Sequence, residues 1–151
     1  MIQTYGTPLL LPSQNHSNMA NKLRAVVIDD DDDDLGFIME TLQNTFAFEI
    51  NGFTNSVEAL EYILTHAVNI DVVITDLKMP MLSGFEVMER MKGNPASASL
   101  DVIVLSTSNN PDDVTKAKEL GAAQFISKPH SYSGYIEIIQ TVMRIVQSAK
   151  A

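Results

Sequence analysis

Four short stretches of this chain end in side chains suited to holding a phosphoryl group beside a divalent cation. Val26-Val27-Ile28 runs into six consecutive aspartates, Asp29 to Asp34. Val72-Val73-Ile74-Thr75 runs into Asp76 and then Leu77-Lys78-Met79-Pro80, with Gly84 shortly after. Two further apolar runs are closed by Ser106 and by Lys128. Mg²⁺ takes a few oxygen ligands, retained waters and a substrate phosphate. Asp29 or Asp30, Asp76 and one backbone carbonyl of the following turn would make that shell. Without the cation, clustered carboxylates repel and at least one pKa rises; with it, all can stay ionised. Asp76 could then attack phosphorus and become an acyl phosphate, with Ser106 donating a hydrogen bond to the phosphate and Lys128 pairing with it.

Positioning those groups requires strands that stop in register. Ala25 to Ile28, Val72 to Thr75, Val102 to Leu105 and Gln124 to Ser127 read as buried strands, and Phe48-Glu49-Ile50 alternates like a half-exposed edge strand. Between them lie helical faces: Leu35, Ile38, Met39, Leu42 and Phe46; Val57, Leu60, Ile63 and Leu64; Phe85, Met88 and Met91; Val114, Ala117 and Leu120; and Ile136, Ile139, Met143 and Val146. Ser83 and Glu86 have capping-box spacing, Asn110-Pro111 offers a cap and a proline first turn, and Gly121 is placed to end a helix. Five strand-then-helix units imply an all-parallel sheet with helices on both faces. In such a sheet the ligand site lies beyond the C-terminal strand ends, where Asp29, Asp76, Ser106 and Lys128 all fall.

Composition narrows the function. The 151 residues suit one domain, and residues 1–22, polar and aperiodic, read as a flexible tail ahead of a domain over 23–151. There is no cysteine, so disulfides and thiolate metal sites are excluded. No apolar window is long enough for a membrane span and no signal peptide is evident, which makes a cytoplasmic location the expectation. The net charge of −9 argues against a nucleic-acid surface. Most of it is local: without the aspartate run, 13 acidic residues face 10 basic ones.

In this order, each after a strand, the four stretches resemble the receiver domain of response regulators, the phosphoacceptor module of two-component signalling. The matching residues are Val27-Ile28-Asp29-Asp30, Asp76-Leu77-Lys78-Met79-Pro80 with Gly84, Leu105-Ser106-Thr107, and Phe125-Ile126-Ser127-Lys128-Pro129. The resemblance covers residues 24 to about 148. It implies a flavodoxin-like (βα)5 doubly wound parallel sheet of strand order 2-1-3-4-5. It also implies that Asp76 receives phosphate from a histidine kinase or phosphotransfer protein. Mg²⁺, or Mn²⁺, would be held by Asp30 directly, Asp29 through water, Asp76 and the Lys78 carbonyl. Ser106, with Thr107 as its small neighbour, would move toward the phosphate while Phe125 turns inward and Lys128 pairs with the new charge. Ser stands here where Thr is more frequent. With almost nothing after the last helix, the expected output is contact with a downstream protein rather than an attached effector or an enzymatic activity. Dimerisation through the last helix stays open.

Plainer readings compete. A strand-end aspartate such as Asp76 can simply cap a turn, and Asp32 to Asp34 are expected to solvate and cap a helix start. An EF-hand spacing at Asp29, Asp31, Asp33 and Glu40 fails, because Asp34 stands where the turn needs Gly and a strand precedes it. The rival function is a phosphatase resembling the haloacid dehalogenase superfamily, with Asp29 as nucleophile, Asp31 as general acid, Ser106 or Thr107 on the phosphate and Lys128 after it. It lacks an acidic pair beyond Lys128 and a cap segment, and it leaves Asp76 unexplained.

Overall fold

The computed structural model describes residues 2–5, 22–45 and 48–150. Its strands are β1 (Ile2–Tyr5), β2 (Leu23–Ile28), β3 (Phe48–Phe53), β4 (Val72–Thr75), β5 (Asp101–Ser106) and β6 (Gln124–Ser127). Its helices are α1 (Asp32–Thr45), α2 (Ser56–His66), α3 (Gly84–Lys92), α4 (Pro111–Glu119) and α5 (Tyr132–Lys150), with a 3-10 turn at Ala67–Asn69.

The sheet order is β1-β3-β2-β4-β5-β6. Leaving β1 aside, the other five strands are mutually parallel in the expected 2-1-3-4-5 order. The all-parallel expectation is therefore corrected at one edge. Ile2–Tyr5, assigned from sequence to a flexible tail, pairs antiparallel with β3, Ile2 opposite Phe53 and Tyr5 opposite Ile50. The physical reason is that the outer side of β3 presents unpaired N–H and C=O groups, and an Ile-Gln-Thr-Tyr segment has the residue types that favour strands. The remaining tail residues, 1 and 6–21, and Phe46 lie outside the described residues. For the same reason β3 is not a half-exposed edge: it is paired on both sides, and Ile50 and Phe53 are fully buried.

Alternation within the strands divides the core into two layers. Ala25, Val27, Ile74 and Leu105 face α1 and α5, packing on Leu35, Met39, Leu42, Ile139 and Val142. Val26, Ile28, Val73 and Val104 face the other way, onto Leu60 and Ile63 of α2, Val87 and Met91 of α3 and Ala117 of α4. Burial on both faces explains why these strands read as unbroken apolar runs rather than alternating ones. One helix face is rotated from its expected position. In α5 the buried side is Tyr135, Ile138, Ile139, Val142 and Val146, with Ile136 only half-buried. Tyr135 belongs to that buried layer, and its ring also packs against the exposed Phe37 of α1, 4.8 Å between centroids.

The helix ends are set by local chemistry. Ser83 and Glu86 form the reciprocal capping box of α3. Asn110 caps α4 with Pro111 in its first turn, and Gly121 follows that helix at φ 95°.

Candidate phosphoacceptor and metal site

The site grows from strand register. Ile28 pairs with Thr75, so the next residues, Asp29 and Asp76, emerge side by side from β2 and β4. Both continue the ladder by one bond: the Asp29 N–H donates to the Phe53 carbonyl at 3.0 Å and the Asp76 N–H to the Ile28 carbonyl at 3.0 Å. On the other side Ser106 pairs with Ser127, and the Lys128 N–H donates to the Ser106 carbonyl at 2.8 Å. The chain leaves β2 for β3 on one side and returns to β4 on the other. Asp29 and Asp76 thus flank the crevice where strand order reverses.

Three carboxylates, those of Asp29, Asp30 and Asp76, place ligand oxygens within 4.8 Å of one another. Asp29 and Asp76 are buried and Asp30 is exposed, so the cluster has one face to water. Burial, and secondarily the charge of Asp76, pushes the Asp29 carboxyl up to about 6 despite its bonds to Lys128 and to the Asp31 N–H. This all-oxygen donor set, open on one side and strained by its own repulsion, fits a hard divalent cation that keeps several waters. Asp29, Asp30 and Asp76 would hold it.

Lys128 is the local counter-charge. Its side chain is 6% exposed, and Nζ lies 2.7 Å from Asp29 Oδ2, 2.9 Å from Asp34 Oδ2 and 3.0 Å from Asp76 Oδ2. Burial alone would depress the ammonium, but hydrogen bonds to these three carboxylates outweigh it and hold the pKa well above the usual lysine value. Asp34 is the correction here. Read from sequence as a solvating residue of the helix start, it reaches across to Lys128 instead. It immediately precedes Leu35 and lies four residues before Ile38, both buried, so it sits on the inward edge of the first turn. That position, legible in the periodicity, was the signal available.

The loop after Asp76 is tightly built. Asp76 Oδ1 accepts from the Leu77 N–H at 2.7 Å, leaving Oδ2 to Lys128. Gly84 opens α3 with its N–H on the Leu77 carbonyl at 2.8 Å, and a Cβ at Gly84 would overlap the Asp76 carbonyl oxygen. Between them Met81 holds φ 71°, a left-handed conformation that costs a methionine. Ser56, a residue the sequence did not single out, anchors this loop from α2. Its buried hydroxyl donates to the Pro80 carbonyl at 3.1 Å and accepts from the Leu82 N–H at 3.0 Å.

The remaining predicted residues are placed as follows. Ser106 is buried, and its Oγ accepts from the Ser108 N–H at 3.2 Å, while Ser108 Oγ donates to Asp113 Oδ2 at 2.5 Å. Thr107 and the Lys78 side chain are exposed. Phe125 is half-buried against the α2–α4 layer of the core. Among the described residues all peptide bonds are trans, Lys128–Pro129 included.

The phosphatase alternative finds no support. Asp31, its general acid, turns its Oδ1 to the Asp34 N–H at 3.0 Å and caps α1.

A model of the response regulator receiver domain matches residues 25–140, and the chain belongs to that family. Over 106 residues it is 33% identical to a probable cyclic di-GMP phosphodiesterase of Vibrio cholerae, covering 70% of this chain and 23% of that protein. It is 32% identical over 119 residues to chemotaxis protein CheV1 of Helicobacter pylori, covering 77% of this chain and 36% of that one. The chain thus spans between about a fifth and two-fifths of the length of these relatives. It covers more of the two-component response regulator ARR17 of Arabidopsis thaliana: 28% identity over 123 residues, 75% of this chain and 80% of the relative. Among solved structures, the phosphorylated cyanobacterial phytochrome response regulator RcpA superposes with TM-score 0.74 at 26% identity, covering 85% and 96% of the two chains. A receiver domain protein from Clostridium thermocellum gives 0.74 at 27%, covering 85% and 97%.

Proposed function

We propose that this domain is a phosphoacceptor switch that takes a phosphoryl group onto Asp76 from a histidine kinase or phosphotransfer protein and signals by protein contact. The observation that carries this reading is the division of labour at the Asp76 carboxylate. Oδ1 is fixed by the Leu77 N–H, while Oδ2 faces the Lys128 ammonium, with the carboxylates of Asp29 and Asp30 in ligand reach. One oxygen is positioned and the other is the nucleophile. A bond forms from Oδ2 to phosphorus as the phosphorus–nitrogen bond to the donor histidine breaks, and the electron pair leaves with the imidazole, which takes up a proton. Lys128, released from Oδ2 when that oxygen is esterified, turns its donor to a phosphoryl oxygen. Mg²⁺ or Mn²⁺ would supply neutralisation of the charge that gathers as the donor approaches.

Ser106 and Phe125 are the switch residues in this reading. The Ser106 hydroxyl is held by an N–H donor and has its own proton to offer a phosphate, and Phe125 is only half-buried, leaving it room to move. The output surface is α4, β6 and α5. It fits that role because β6 is the least buried of the parallel strands and α4 buries Ala117 alone. A cytoplasmic setting belongs to the same reading.

The test is phosphate incorporation from a small acyl-phosphate donor with Mg²⁺. Wild type should take up one labile phosphate, Asp76→Asn none, and Asp29→Asn a reduced amount. Equal labelling of wild type and Asp76→Asn would refute the assignment.

A further inference from the structure

The carboxylate of Asp34 has no part in the scheme just given, yet it takes one of the three N–H bonds of the Lys128 ammonium. Its Oδ2 accepts from Nζ at 2.9 Å across 94 residues of sequence, from the first turn of α1 to the end of β6. The other two donors go to Asp29 and Asp76, so no hydrogen of this ammonium is left over. Three carboxylates, those of residues 29, 34 and 76, share this one lysine, and a fourth, Asp30, lies in ligand reach of Asp29 and Asp76.

Resting on the phosphoacceptor reading, we propose that Asp34 is a positioning residue for Lys128 that lowers the hold of the site on the phosphoryl group. Esterification of Oδ2 frees only the donor that served Asp76. The phosphoryl group gains that one bond, while Asp34 keeps a second and leaves the lysine's positive charge divided. Asp34 also adds a negative charge at the mouth of a site that must accept a dianion. Its side chain is 37% exposed, so its pull is moderated by water but not abolished. The same charge favours an incoming cation. Asp34 therefore acts with opposite sign on the two ligands, which a residue that merely supports the fold would not do.

The experiment measures calorimetric affinities of the full chain for Mg²⁺ alone and for beryllofluoride, a phosphoryl mimic, at saturating Mg²⁺. Asp34→Asn keeps size and an acceptor but drops the charge. It should bind beryllofluoride about fivefold more tightly, and Mg²⁺ alone about threefold more weakly, than wild type. Asp34→Glu, which retains the charge, should stay within about twofold of wild type on both. Equal affinities for wild type and Asp34→Asn, weaker binding of both ligands, or an Asp34→Glu protein that behaves like Asp34→Asn would overturn the role of Asp34. A wild-type protein that binds no beryllofluoride would instead sink the phosphoacceptor reading beneath it.

Discussion

The ammonium of Lys128 stands 2.7 Å from Asp29 and 3.0 Å from Asp76, closer to the carboxylate proposed to hold metal than to the proposed phosphoacceptor. This lysine is a counter-ion shared by a carboxylate cluster, and in the proposed function it serves the phosphate only after that. Its removal should leave buried negative charge uncompensated, a loss that far exceeds what an exposed ion pair contributes.

Lys128→Met should accordingly cost about 3 kcal/mol of stability at neutral pH without added metal. Excess Mg²⁺ should return part of that loss by supplying the missing positive charge. Urea unfolding midpoints of both proteins, with and without Mg²⁺, measure this. A Lys128→Met protein as stable as wild type, or indifferent to Mg²⁺, would count against the shared counter-ion.

The raised pKa of Asp29, about 6 against 3.8 for an ordinary aspartate, sets a second expectation. Between those values the folded protein holds a proton that the unfolded chain has released. Stability traceable to Asp29 is thus present at acid pH and declines as pH rises from about 4 to about 6, by on the order of 2–3 kcal/mol. Lys128, shifted upward, contributes stability that is complete below its ordinary pKa of 10.5 and fades only in strong alkali. In the proposed function Mg²⁺ would bind the ionised carboxylate, so its affinity should fall by up to about tenfold per pH unit below pH 6. Calorimetric Mg²⁺ titrations across pH 5 to 7 test the sign, which Asp29→Asn should flatten.

Gly84 supplies a third expectation, because its Cα lies against the backbone of Asp76 itself. A methyl group there would collide with the Asp76 carbonyl oxygen, which is backbone and cannot rotate away. Gly84→Ala should destabilise the fold by about 2 kcal/mol, as overpacking does, and reduce phosphate incorporation by displacing Asp76. Gly36→Ala is the control, since a Cβ at that helical position meets nothing within 4 Å and should be neutral or stabilising. Thermal melts together with labelling separate the two, and a Gly84→Ala protein with normal melting and labelling would contradict the packing argument.

How far residue patterns reach into this molecule depends on whether neighbours in sequence or neighbours in space do the work. The capping box at Ser83 and Glu86, the Asn110-Pro111 start and the Gly121 terminator were all readable, because each depends on residues within a few positions. Asp29, Asp76 and Lys128 were readable as strand-end residues as well, since parallel strands stop at one edge, although β6 ahead of Lys128 is half-exposed rather than the buried strand its sequence suggests. Ser56 was not, because its partners Pro80 and Leu82 lie 24 and 26 residues away and a serine beginning a helix usually only caps it. The added strand β1 was also invisible: a four-residue Ile-Gln-Thr-Tyr segment has no period until the open edge of β3 gives it something to pair with.

Residue order alone was enough to establish which chemical groups this protein can bring to bear and which end of the sheet presents them, because strand and helix periods depend on local geometry. The division of labour among those groups was decided only when the chain folded. Hydrogen bonds and ion pairs follow distances of about 3 Å, so although Asp29 is marked by its strand and Asp34 by its side of the helix, it is only when α1 packs beside the end of β6 that Asp31 caps the helix and Asp34 meets the lysine.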